Sequence, residues 1–121
     1  MALINAAGVG TFSLEEKAEV SSSSGVLTID LNVANIFTVT LNESISSIVI
    51  NNTAASGIVT AFTLILTYTS TSVSITWPGS FDWPSAAAPT LTNVNGKKDI
   101  FSFVTEDGGT NWYGFIGGRN I

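Results

Sequence analysis

Apolar and polar positions alternate with a period of two along most of the 121-residue chain. VLTIDL (26–31) sets Leu27, Ile29 and Leu31 on one face and Val26, Thr28 and Asp30 on the other. IFTVTL (36–41) sets Phe37, Val39 and Leu41 against Thr38 and Thr40, and FTLILTY (62–68) sets Phe62, Leu64, Leu66 and Tyr68 against Thr63, Ile65 and Thr67. ISSIVIN (45–51) is apolar through Ile48, Val49 and Ile50, and SVSITW (72–77) through Val73, Ile75 and Trp77. Such runs of β-branched and aromatic residues read as half-buried strands. DIFSFVT (99–105) and NWYGFIG (111–117) differ in being apolar on both faces.

Turn-forming residues punctuate these runs at SSSSG (21–25), Val33-Ala34-Asn35, Asn42-Glu43-Ser44, Ala54–Gly57 and Asn95-Gly96. Asp107-Gly108, between the last two runs, is a strong hairpin signal. Short strands near Glu19–Ser22 and Thr90–Thr92 bring the expected total to about eight. Short strands at that spacing predict an all-β fold, a compact antiparallel β-sandwich or jelly roll. Ser13-Leu14-Glu15-Glu16 matches a capping box and predicts one helical turn. The expected organisation is an N-terminal arm at 1–18 and a single domain at 19–121.

Composition narrows the function. Four basic residues against nine acidic give a net charge of −5, and Lys97-Lys98 is the only adjacent basic pair. Nucleic-acid binding, which needs a basic stripe to displace counterions, is not expected. With no histidine the commonest general base and the commonest metal ligand are missing, and with no cysteine there is no disulfide framework and no Cys-based zinc site. Glu15, Glu16 and Glu19, and the Glu106–Asp107 pair, read as solvated carboxylates, and Glu106–Gly109 lacks the spaced acids of a calcium loop. No catalytic, cofactor-binding or metal-binding residues are assigned, and an enzyme is not expected. Serine and threonine interrupt every apolar run before the ~18–20 residues of a membrane helix, and MALINAAGVG has no positive n-region. Mean hydropathy is nevertheless +0.40. So apolar a chain is expected to hide surface against copies of itself or a larger assembly.

SITWPGSFDWPSAAAP (74–89) stands apart, holding Trp77, Trp83 and all three prolines. Proline cannot donate to a ladder, so 78–89 reads as a loop or sheet edge. Its large apolar groups, Phe81 and Trp83, have two options. Turned inward they plug one end of the sandwich; turned outward they offer flat faces on which sugars can stack.

An ordered set of motifs here resembles the small β-modules of tailed-bacteriophage virions: Trp77-Pro78, then Trp83, then Pro89–Thr92, Gly96–Asp99, Ile100–Val104, Asp107–Thr110 and Trp112–Phe115. SSSSGVLTIDL and NIFTVTL fit the same order, so the resemblance spans about residues 20–121. It implies a jelly-roll-like module, usually trimeric, on the outside of a virion, with no catalytic residues. Modules of this kind often cap long tail-fibre chains. The short segment before this one fits a capsid decoration (cement) protein instead, a homotrimer on the major capsid protein at the capsid exterior. The alternative is a tail-fibre or adhesin module that joins other tail proteins or binds host glycans through Phe81 and Trp83. One sandwich core takes only one face of each strand, so Ile100, Val104, Tyr113 and Phe115 are the expected trimer contact. Leu3, Ile4, Val9, Phe12 and Leu14, in a nearly uncharged arm, are the expected capsid contacts.

Overall fold

The computed structural model describes residues 17–121, and the expected capping box and arm contacts lie outside them. Eight strands follow in chain order: β1 (Lys17–Val20), β2 (Val26–Asp30), β3 (Ile36–Leu41), β4 (Ser47–Asn51), β5 (Thr60–Tyr68), β6 (Phe81–Asp82), β7 (Lys98–Thr105) and β8 (Trp112–Gly118). The expected boundary at residue 18 falls within β1. A 3₁₀ turn at Pro84–Ala86 is the only helical element among the described residues. None of their helices is long and apolar enough to cross a membrane.

The all-β, two-sheet architecture is the expected one, but its strand pairing is mixed. One sheet has the order β1-β3-β5-β7-β8-β6 and the other pairs β2 with β4. β1–β3, β3–β5, β2–β4 and β6–β8 are parallel, and only β5–β7 and β7–β8 are antiparallel. From β1 to β5 each strand is followed by one in the opposite sheet. The next strand back in the same sheet therefore runs in the original direction, and the chain coils. Ile45 continues this coil by a parallel bridge to Ile75, with Ile45 N–H donating to the Ser74 carbonyl at 2.8 Å and Thr76 N–H to the Ile45 carbonyl at 2.8 Å. That bridge is all the strand pairing the 72–77 run makes, and the 90–92 run forms no strand.

The corners explain the coiling. At the first, Gly25 takes φ +79°, a conformation natural to glycine. A Cβ there would lie 2.7 Å from Ser46 Oγ in the corner stacked on it. Glu43 from that second corner accepts hydrogen bonds from the Ser22 hydroxyl and from Gly25 N–H. Corners stacked by side chains replace the two-residue hairpins an antiparallel meander would need.

The inward faces are those read from the alternation. Leu27 and Ile29, then Phe37, Val39 and Leu41, then Phe62, Leu64, Leu66 and Tyr68 are all buried, joined by Phe101, Phe103 and Trp112. Two strands span about 10 Å and six about 29 Å at ~4.8 Å per strand, so the smaller sheet cannot cover the larger. The 77–83 segment covers what remains. Trp77 lies edge-on to Phe101 at 5.7 Å between ring centroids, Phe81 is 4.7 Å from Phe103, and Trp83 is edge-on to Phe103 at 5.4 Å. The Trp83 ring rests over Gly114 of β8, where a Cβ would come within 2.7 Å of its Cε3 and Cζ3 atoms. Gly114→Ala is expected to cost about 1–3 kcal/mol, the usual penalty of overpacking. Urea unfolding would show this as a lowered midpoint, and an unchanged midpoint would mean that the indole moves aside freely.

Candidate functional site

Inward pointing of the alternate residues of β5, β7 and β8 leaves the opposite face of the large sheet without a covering layer among the described residues. The four residues expected at a subunit contact meet there. In register, Val104 stands opposite Tyr113 and Ser102 opposite Phe115 across β7–β8, while Ile100 stands opposite Ile65 and Val104 opposite Ala61 across β5–β7. Ile100 and Val104 are half-buried by their neighbours. Tyr113 is 40% exposed and Phe115 49%, unlike the aromatic residues of the inner face. Between them the hydroxyls of Thr63 and Ser102 pair at 2.9 Å, so the polar groups in the middle of the face satisfy each other. At one end the Tyr113 hydroxyl donates to Glu106 Oε2 at 3.1 Å; at the other, Lys98 Nζ donates to Thr67 Oγ1 at 2.6 Å. The result is an apolar strip with its charges at the ends, suited to burial against another surface.

Phe81 and Trp83 are elsewhere, on the inner face, 7% and 9% exposed. The inward arrangement is the one adopted, and neither ring offers a flat face to a sugar. Of the two options for the pair, the structure has the inward one, and the outward one required for glycan stacking is not seen. The physical cause is the narrowness of the second sheet, which leaves Phe101, Phe103 and Gly114 needing cover.

The sequence reading missed Asp99, a fully buried carboxylate. Its Oδ2 accepts from the Tyr68 hydroxyl at 2.5 Å and from Thr92 N–H at 2.9 Å. Its Oδ1 accepts from the Thr92 hydroxyl at 2.5 Å and from Asn120 N–H at 3.0 Å. Burial alone would raise this carboxyl's pKa. The hydrogen bonds from Thr92, Tyr68 and Asn120 outweigh that and hold it below the usual carboxylate range. With both oxygens engaged, Asp99 ties β5, the 92 loop and the C-terminal residues together and has no free lone pair with which to act as a base. The sequence carries little signal for it, because Asp99 opens a run that is apolar on both faces and so marks no inward side.

Sign and window follow from the linkage between protonation and folding. A carboxyl depressed in the folded state stabilises above its unfolded value of about 4 and loses that contribution as pH falls through the folded value. Tyr68 is pushed the other way, first by burial and then by its hydrogen bond to Asp99 and that group's charge. Its contribution is full below the unfolded value of about 10 and is lost as pH rises through the higher folded value. Asp99→Asn must set an amide N–H₂ against two donors on one side of the group, and is expected to cost about 2–3 kcal/mol at neutral pH. It should also make the acid limb of the stability–pH curve shallower. Glu43, lowered by hydrogen bonds from Ser22 and Gly25, remains to supply part of that limb. Urea midpoints at pH 3–7 check both; equal acid limbs in variant and wild type would refute the assignment.

The Asp107 carboxylate is likewise engaged within its own hairpin. It accepts from Asn111 N–H at 3.0 Å, the Asn111 amide at 3.1 Å and the Thr105 hydroxyl at 2.9 Å. No group of three or more potential metal ligands occurs among the described residues. Comparison with protein-family models, with curated proteins and with solved structures returns no match to this chain.

Proposed function

We propose that the chain is a structural protein of a tailed-phage virion, a homotrimeric decoration protein that binds the outside of the capsid and stabilises it. The observation that carries this reading is the apolar face, uncovered among the described residues, on which Ile100, Val104, Tyr113 and Phe115 meet. Fully burying such side chains is worth about 1.5–3 kcal/mol each, and a closed ring of copies buries them without leaving an open end. The order of motifs from residue 20 to 121 supports the virion setting. In this reading residues 1–16, with Leu3, Ile4, Val9, Phe12 and Leu14, reach onto the major capsid protein. Three arms on one trimer would gain avidity of ~10²–10⁴ over a single arm. The alternative of a tail-fibre or adhesin module remains the second reading; burial of Phe81 and Trp83 bears only on sugar stacking by that pair.

The test is a copy count in purified virions by quantitative proteomics. Decoration requires hundreds of copies per particle; a few or a few dozen would place the protein in the tail. A second arm of the test uses the protein lacking residues 1–16. It should fold and trimerise, yet fail to rebind capsids stripped of the native protein. Undiminished rebinding would move the capsid contact to the domain itself.

A further inference from the structure

The charges at the ends of the apolar strip differ in sign. Of the chain's four basic residues, Lys97, Lys98 and Arg119 sit at one end. The β7–β8 register, with Ile100 opposite Gly118, puts the start of β7 beside the end of β8. At the other end, Glu106 follows β7, and Asp82 stands opposite Tyr113 in the β6–β8 pair. All five are exposed. The Tyr113 hydroxyl registers the acidic end: its hydrogen bond to Glu106 and that group's charge raise its pKa, and Asp107 and Asp82 add to the shift. Glu106 lies eight positions after Lys98, about 26 Å at ~3.3 Å per residue. That distance exceeds the ~8 Å screening length at physiological salt, so the two ends act as separate charges.

We infer that the partner of this face is a second copy docked head to tail, the Lys97–Lys98–Arg119 end of one subunit meeting the Asp82–Glu106 end of the next. The inference rests on the trimer reading above and adds its geometry. Three copies with strands parallel to the three-fold axis would crowd three basic ends together and three acidic ends together. Like charges in contact oppose association, whereas complementary ends fix register and speed encounter. The strands therefore run around the axis, not along it. The apolar strip faces inward, and the ring closes through three equivalent contacts between unlike ends.

Three variants test this by light scattering, each first checked for native circular dichroism. Variant one carries Lys97→Glu, Lys98→Glu and Arg119→Glu; variant two carries Asp82→Lys and Glu106→Lys; variant three carries all five substitutions. Asp107 is left alone because it builds the hairpin. Variants one and two should each need at least about tenfold higher concentration to trimerise, with the gap narrowing in high salt. Variant three, with both ends exchanged, should recover the trimer. An equimolar mixture of one and two should not, because an odd ring of alternating subunits always leaves one contact between like ends. A 1:1 dimer from that mixture would support the contact between unlike ends, whereas a wild-type dimer would overturn the ring in favour of a two-fold pair. Trimers of undiminished strength from variants one and two would overturn the head-to-tail contact while leaving the trimer standing. A wild-type chain that is not a trimer would remove the underlying reading itself.

Discussion

Trp83→Ala is expected to lower the free energy of unfolding by about 3–5 kcal/mol, the range for truncating a large buried aromatic. The indole is edge-on to Trp77, Phe101 and Phe103, with centroid separations of 5.1, 6.0 and 5.4 Å, and its ring fills the space above Gly114. Removing it leaves a cavity over the half of the large sheet that β2 and β4 are too narrow to reach. Its Nε1 is buried with no hydrogen-bond partner among the described residues. An N–H in that position contributes nothing to offset its desolvation. Trp83→Phe, which keeps an aromatic ring and deletes that donor, should therefore cost much less, about 1–2 kcal/mol. Urea unfolding followed by far-UV circular dichroism separates the two. A wild-type midpoint for Trp83→Ala would mean that the ring does not close the core, and would reopen the glycan-stacking role for it.

Phe115→Glu is expected to leave the subunit folded and abolish the trimer. Phe115 is 49% exposed and opposite Ser102, so the isolated domain can point a carboxylate there into water at a cost within about ±0.5 kcal/mol. In the proposed trimer the same position would be covered, and burying an unpaired carboxylate costs several kcal/mol per ion. With three such sites the monomer–trimer midpoint should rise by more than about a hundredfold. Thr28→Glu, on the outer face of the two-stranded sheet, is the control and should change neither stability nor assembly. If Phe115→Glu remains trimeric, the apolar strip is not the contact.

The inward residues of β2, β3 and β5 were legible because each strand is buried on one face only, and alternation reports that directly. The two-faced runs of β7 and β8 were legible as strands. Pairing direction was not. Direction depends on whether a connection turns back within a sheet or crosses to the other sheet, and the SSSSG and Asn42-Glu43-Ser44 segments are generic enough for either. Only Asp107-Gly108, with the geometry of a tight reversal, announced a hairpin, and β7–β8 is the antiparallel pair it joins. The 72–77 run alternates like a strand, yet it contributes one bridge, at Ile75, before Pro78 ends pairing. Two-residue β6 is too short to produce any periodicity. Asp99 went unread because its value lies in partners that converge from Tyr68, Thr92 and Asn120, positions far apart in the chain. The candidate contact surface was readable as four residues, but its opposed charges emerged only once β7 and β8 lay side by side.

The trimer is tested most directly by the mass of the wild-type protein in solution at micromolar concentration, by size-exclusion chromatography with light scattering. A trimer of three times the chain mass of 12.6 kDa is expected. A species of 12.6 kDa would leave the apolar face with no partner of its own kind and would contradict the central claim.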